Sequence, residues 1–279
     1  MNGCVLTIAG SDSGGNAGVQ ADLRAFHCYG LHGCTVFTAL TAQNPRGVKG
    51  VHLVPPSFIA EQLSAVFEMY SVKALKTGML ATADAIATVA KCLEAHPRVK
   101  KVIDPVMVAT SGAKLLADDA VDAMKRLLLP QATLATPNLP EAETLLGRPI
   151  VGRDEMLAAA KELSRMFGCA VLLKGGHAVE RGAMRRGAPV EFAEDVLFDG
   201  RRIRTFRLPV IGDPVSTHGT GCSLAAALAA ELACGATLAK AVAGAKDFVH
   251  RAIASSYYVG RNCGVLGMPQ MKFPIAKGK

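Results

Sequence analysis

The sequence predicts an α/β fold in three layers, with a central, mostly parallel sheet flanked by helices on both faces. Two observations carry this. Short, continuously apolar runs alternate with longer helical stretches, as they must when parallel strands are buried on both faces and joined by crossover helices. A polar or glycine-rich cluster follows nearly every apolar run, and sheets of this kind bind ligands beyond the carboxyl ends of their strands.

The elements follow in order. Residues 4–10 (CVLTIAG) read as a buried strand, and 17–30 as a helix ending at Gly30. Residues 35–43 form a second strand, and 56–70 a helix with Pro56 at its start, a position where proline loses nothing. Residues 72–79 are strand-like and 82–96 helical; 101–107, 132–138 and 170–176 repeat the strand theme with helices between them. Residues 195–208 differ, because two strand-like runs flank Asp199-Gly200, a hairpin signal. Helices over about 221–234 and 237–257 close the pattern. No linker or repeat interrupts it, so one domain is expected over 1–279, with a core of about 4–258 and a tail of about 259–279.

Composition narrows the function classes. Half of the 279 residues are hydrophobic, ample for a large core, yet no apolar stretch has the length of a membrane span. The start, MNGCVLTIAGSDSGG, lacks a basic segment and turns glycine-rich at once, unlike a signal peptide. The eight cysteines are scattered without a CxxC pair. They read as reduced thiols of a cytoplasmic protein and do not combine with histidines at zinc spacing. The formal charge of +8 is spread out and few aromatics accompany it, which argues against nucleic acid and for a solvated basic surface. No membrane partner is expected.

The stretch THGTGCSLAAALAAELA (217–233) raises the chemical question. Alanine and leucine start a strong helix near Cys222. Its first turn presents unpartnered N–H groups and the positive end of the helix dipole. Gly219 and Gly221 let a ligand approach, giving an anion cradle. A cysteine in that field is expected to have a lowered pKa and more thiolate character. The plainer alternative is a glycine-led helix start with a buried cysteine. GxxxxGK[ST] is absent, which argues against a P-loop NTPase. GxGxxG fails too, because Leu224 stands where its third glycine belongs, which argues against a nicotinamide oxidoreductase.

Seven segments together carry a resemblance: TIAGSDSGGNAGVQADL (7–23), ALTAQNPRGV (39–48), KTGML (76–80), DPVM (104–107), LLPQATLATPNLPEAE (128–143), LLKGGH (172–177) and HGTGCSLAAALA (218–229). From about Val5 to about Tyr258 the chain resembles the hydroxymethylpyrimidine and phosphomethylpyrimidine kinases of thiamine biosynthesis, in the ribokinase-like superfamily. The resemblance implies a ribokinase-like fold. It implies ATP-dependent phosphorylation of 4-amino-5-hydroxymethyl-2-methylpyrimidine, an aminopyrimidine alcohol, and then of its phosphate to give the pyrophosphate. ATP and Mg2+ are the implied cofactors, with room for a monovalent cation, and a homodimer is the implied assembly.

The residues are assigned as the resemblance implies. Gly219, Thr220, Gly221 and Cys222 form the anion hole, with Cys222 as the general base; Cys222→Ala should lose roughly 10²-fold or more. Gly10, Asp12, Gln43, Met79 and Val106 face the pyrimidine. Gln43 reads its amino edge, although a polar loop residue would look the same, and Met79 and Val106 equally suit core packing. Asp12 ranks nearer the substrate than Asp22, which suits a structural role. Asp104 and Glu141 are the metal residues. Asn138, Lys174, His218 and Thr220 serve ATP. Asn138 and Glu141 equally fit a capped helix start, Lys174 a solvated strand end, and His218 a structural histidine orienting its loop. Asp195 and the hairpin after it resemble a nucleotide-side flap. Residues 108–116 and 178–192 are expected to cover the site.

Two departures stand out. Asn16 interrupts the usual glycine-rich loop, though asparagine tolerates left-handed geometry. The tail at 260–279 matches the family only loosely, which bears on dimer contacts. The alternatives are pyridoxal kinase, alone or alongside, a sugar kinase and a non-catalytic pyrimidine-binding protein. Ala109 stands where pyridoxal-phosphorylating relatives carry a second cysteine, and sugar kinases normally have Asp in place of Cys222.

Overall fold

The computed structural model describes residues 3–107, 118–176 and 191–269. An eight-stranded sheet runs β10-β9-β8-β7-β6-β5-β1-β2. Its strands are β1 (Cys4–Ala9), β2 (His32–Phe37), β5 (Val72–Thr77), β6 (Lys100–Ile103), β7 (Leu134–Ala135), β8 (Ala170–Lys174), β9 (Phe192–Phe198) and β10 (Ile203–Pro209). The pairs from β2 through β8 are all parallel, and β8-β9 and β9-β10 are antiparallel. The expected mostly parallel α/β arrangement is therefore present.

Alternate residues of the strands point to opposite faces, and each face is covered. Leu6, Ile8, Leu75, Ile103 and Val171 face one apolar cluster. Helices α2 (Pro56–Met69), α3 (Ala83–Glu94), α5 (Leu139–Leu146) and α6 (Gly152–Phe167) fill it. So do the short α4 (Asp118–Ala123) and the π turn after it. Val5, Ala74, Val102, Leu134 and Leu172 face the other cluster. There they meet α1 (Gly18–Cys28), α7 (Thr220–Ala233) and α8 (Leu238–Ala254). Helix α7 lies between the sheet and two helices, so Ser223 through Ala230 are all buried. Alanine suits it there, since its small side chain lets neighbouring helices approach closely.

Three sequence expectations are corrected. The strand expected over 35–43 breaks at Thr38. Its second half, β3 (Ala39–Asn44), leaves the sheet and pairs antiparallel with β4 (Gly47–Leu53). The strand expected over 132–138 is only Leu134–Ala135, because the chain turns into the α5 cap. The last helix ends at Ala254, and β11 (Tyr257–Gly260) pairs with β12 (Cys263–Val265). The expected hairpin at Asp199-Gly200 is present, with Asp199 Oδ1 accepting from the N–H groups of Arg201 and Arg202. No helix among the described residues is long and apolar enough to cross a membrane.

Candidate active site

The loops after β1, β5, β6, β7 and β8 gather on one edge, and α7 packs against β5 and β6. The turn begins at Gly219, whose backbone is left-handed (φ 88°, ψ 2°). A Cβ at this position would lie 1.8 Å from the Asn16 carbonyl oxygen. The anion loop is thus stacked directly on the glycine-rich loop, and only glycine allows that contact. Gly221 and Cys222 then supply first-turn N–H groups, while Thr220 N–H donates to Thr217 O at 3.4 Å and Ser223 N–H to Gly219 O.

Asp12 organises the second loop. Its Oδ1 accepts from Gly14 N–H at 2.8 Å, and its Oδ2 from Asn16 and Ala17 N–H at 3.0 and 2.8 Å. His218 Nε2 lies 3.8 Å from Oδ2. Burial pushes the carboxyl up, but His218 and the three N–H groups outweigh it and hold Asp12 below its ordinary value. Both oxygens are engaged by the loop's own N–H groups, and Asp12 sits between the two glycine loops with His218 beside it.

Gly10, Met79 and Gln43 do converge. A Cβ at Gly10 would sit 2.5 Å from Met79 Cε, and Met79 O accepts from Thr38 Oγ1 at 2.6 Å. Gln43 exchanges two hydrogen bonds with Ser13 Oγ through its backbone, both 2.8 Å. Its side-chain Oε1 faces Thr41 Oγ1 at 3.5 Å. Val106 is partly exposed just past Asp104, its N–H donating to Asp104 O. Met79, Gln43 and Val106 are each half-buried at this end of the sheet, with Met79 packed on Gly10.

Across the edge lies a charged group. Asp104 Oδ1 accepts from Thr136 Oγ1 and from Lys174 Nζ, both at 2.8 Å. Lys174 Nζ is also 4.0 Å from Glu141 Oε2. Asn138 Oδ1 caps α5 by accepting from Glu141 N–H, and Glu141 Oε2 accepts from Asn138 N–H. The capping box is therefore real. Burial pushes the Glu141 carboxyl up to about 7, opposed by Lys174 and reinforced by Asp104. Burial works against the Lys174 charge, yet Asp104 and then Glu141 hold its pKa above the ordinary lysine value. Lys174 is no solvated strand end.

The donor set suits Mg2+, a hard cation usually held by one or two carboxylates plus phosphate oxygens. Asp104 and Glu141 supply two such carboxylates. No group of three or more His, Cys, Asp or Glu among the described residues forms a protein-only metal cage, so phosphates would complete the set.

Cys222 corrects an expectation. Burial pushes its thiol up, and Asp22 and Asp104 add to that; Lys76 and the Gly18 N–H oppose them without prevailing. Its pKa is raised, not lowered, because burial outweighs the groups that favour the thiolate. Asp195 is also held within the protein, by Gly175 N–H at 2.9 Å and by Lys246. The residues expected to cover the site, 108–116 and most of 178–192, lie outside the described residues, as does Ala109.

Sequence reasoning passed over Thr136 and Lys76. Thr136 fixes Asp104. Lys76 is fully buried in β5, and a lysine inside the apolar run VKALKT (72–77) was a visible signal.

A family model described as phosphomethylpyrimidine kinase matches residues 12–267. A hydroxymethylpyrimidine/phosphomethylpyrimidine kinase of Rhizobium meliloti is 45% identical over 258 residues, covering 92% of each chain. The thiamine biosynthesis bifunctional protein ThiED of Geobacter sulfurreducens is 47% identical over 262 residues, 94% of this chain and 51% of that one. The chain therefore spans about half of that bifunctional relative. Among solved structures, an ADP complex of Bacillus subtilis pyridoxal kinase superposes with a TM-score of 0.83 at 35% identity, covering 96% of this chain and 98% of that one.

Proposed function

Because the chain belongs to the phosphomethylpyrimidine kinase family, we propose that it phosphorylates 4-amino-5-hydroxymethyl-2-methylpyrimidine with ATP and then phosphorylates the product to the pyrophosphate. The observation that supports this is the charged cluster of Asp104, Glu141 and Lys174 on one sheet edge, with α7 packed on the neighbouring strands β5 and β6. The reading places a slot for the ring beside Gly10, Met79 and Gln43, where Met79 packs on Gly10.

Phosphoryl transfer needs positioning and charge neutralisation more than covalent help. In this reading the slot holds the ring, Gln43 pairs with its amino edge, and the N–H groups of Gly219–Cys222 hold the transferring phosphoryl oxygens. Lys174 faces the nucleotide phosphates with Asp104 and Glu141, which would hold Mg2+; the ion would neutralise phosphate charge. Cys222 takes the hydroxymethyl proton once its own thiol proton has left, which its raised pKa makes a pH-dependent step. The reading treats the described elements as one domain. Eight free cysteines support a cytoplasmic location. The exposed Leu40, Val51 and Leu53 of the β3-β4 pair and Phe58 beside them support a homodimer, which sedimentation would test.

The likeness to pyridoxal kinase gives the second reading, a vitamin B6 kinase built on the same edge. Magnesium-dependent ADP release measured with the pyrimidine and with pyridoxal separates the two. Faster turnover on the pyrimidine supports the first reading, and faster turnover on pyridoxal supports the second. Tight binding of the pyrimidine without ADP release would make the chain a non-catalytic binder.

A further inference from the structure

Two carbonyl oxygens from opposite ends of the chain meet one side chain. Arg24 on α1 donates from Nη1 to Gly15 O at 3.3 Å and from Nη2 to Leu266 O at 3.0 Å. Leu266 lies 242 residues further along the chain. A guanidinium group presents its donors in one rigid plane, so the two carbonyls are held at a set spacing.

Each end of this bridge leads to the anion loop. Gly15 belongs to the glycine-rich loop that Asp12 organises, and its own N–H donates to Asp12 O at 2.9 Å. The next residue, Asn16, carries the carbonyl on which Gly219 is stacked. Arg24 therefore holds the peptide unit directly before that contact. At the other end, Val265 and Leu266 are buried. Their segment is tied to the end of α8, where Gly267 N–H donates to Ala252 O at 3.0 Å and Ser255 Oγ donates to Gly267 O at 2.9 Å. A Cβ at Gly264 would run into the Val215 carbonyl, so β12 lies directly on the chain that enters the anion loop. Ser216 N–H donates to Ser256 Oγ at 3.4 Å, and Ser216 Oγ accepts from His218 N–H at 3.2 Å. Gly219 follows and returns to Asn16. The contacts close a ring, and Arg24 is the side chain that joins its two halves. The segment belongs to the tail that matches the family only loosely in sequence.

We propose that Arg24 is a positioning residue for phosphoryl transfer: by strapping the glycine-rich loop to residues 264–267 it keeps that loop and the first turn of α7 in fixed relation. This rests on the reading of that turn as the anion hole. Arg24 acts through the two loops and touches no reacting atom.

The test compares wild type with Arg24→Met, which keeps an apolar stem and removes the donors, with Gly264→Ala, and with the double variant, all in the full chain. Anion-hole donors act on the transition state, so displacing them lowers kcat and kcat/KM together. Arg24→Met should lose at least about tenfold in kcat, with KM for the pyrimidine and for ATP nearly unchanged. The double variant should lose less than the product of the two single losses, because both changes loosen one ring. Amide hydrogen exchange in Arg24→Met should rise at residues 15–17 and 219–222 together. A kcat within about twofold of wild type in folded Arg24→Met, with only a lower melting temperature, overturns the proposal and leaves Arg24 a structural tie. A raised KM with unchanged kcat overturns it as well, and so does exchange that rises at 15–17 alone. Absence of ADP release by wild type overturns the anion-hole reading, and with it the role in transfer, whatever the exchange shows.

Discussion

Replacing Gly219 with alanine tests the stacking of the two glycine loops. The left-handed backbone at this residue (φ 88°) costs an alanine about 1–2 kcal/mol. The larger effect is steric. The new Cβ would sit 1.8 Å from Asn16 O, whereas carbon and carbonyl oxygen rest at about 3.3 Å or more. The loops must part by more than an ångström. A misplacement of about 1 Å can cost about 10²-fold in rate, and loss of one oxyanion donor about 10²–10³-fold. The fold itself should survive, because Ser223 through Ala230 anchor α7 in the core. A coupled ADP-release assay should therefore show kcat falling about 10²–10³-fold. Thermal melting should show a drop of several degrees, at about 2–4 °C per kcal/mol for a chain of this size class. A kcat within threefold of wild type, with unchanged melting, would refute the claim that this contact sets the anion hole.

Three further predictions follow from the site. Because the Cys222 thiol is raised above its ordinary value, it is protonated at neutral pH. The kcat should therefore climb with pH through the neutral and mildly alkaline range, and Cys222→Ala should be about 10²-fold slower with a flatter profile. Asp12 is depressed below its unfolded value of 3.8, so its stabilising effect is present above that pH and lost as pH falls through the folded value. Asp12→Asn should lower the melting temperature at neutral pH, and the gap from wild type should close in acid. Gln43→Ala should raise KM for the pyrimidine roughly tenfold through one lost hydrogen bond, with KM for ATP unchanged; equal changes in both would contradict its place at the slot.

What the sequence made legible was whatever depends on period and on local chain chemistry. Continuous apolar runs marked β1, β5, β6 and β8, and the glycine-rich and acidic clusters marked the ligand edge. Asp199-Gly200 marked the β9-β10 turn, and Asn138 with Glu141 marked a capping box. The β3-β4 pair was hidden because the sequence GVKGVHL mixes glycine, lysine and histidine into a strand largely exposed to solvent. Cys222 was misjudged for a different reason. The helix dipole is local and visible in sequence, whereas burial and the charges of Asp22 and Asp104 come from distant elements. The bonds of Asp12 were hidden likewise, since they depend on how residues 12–17 curl around its carboxylate. The buried pairing of Lys76 was hidden because its partner, Asp22, lies 54 residues away in the chain.

The most direct test of the central claim is phosphorus NMR of the products formed from ATP, Mg2+ and the hydroxymethylpyrimidine by wild type and by Cys222→Ala. A monoester signal on the hydroxymethyl oxygen, followed by a pyrophosphate doublet pair, with both formed far more slowly by the variant, is the predicted result. Free phosphate as the only product, or wild-type rates in the variant, would contradict it.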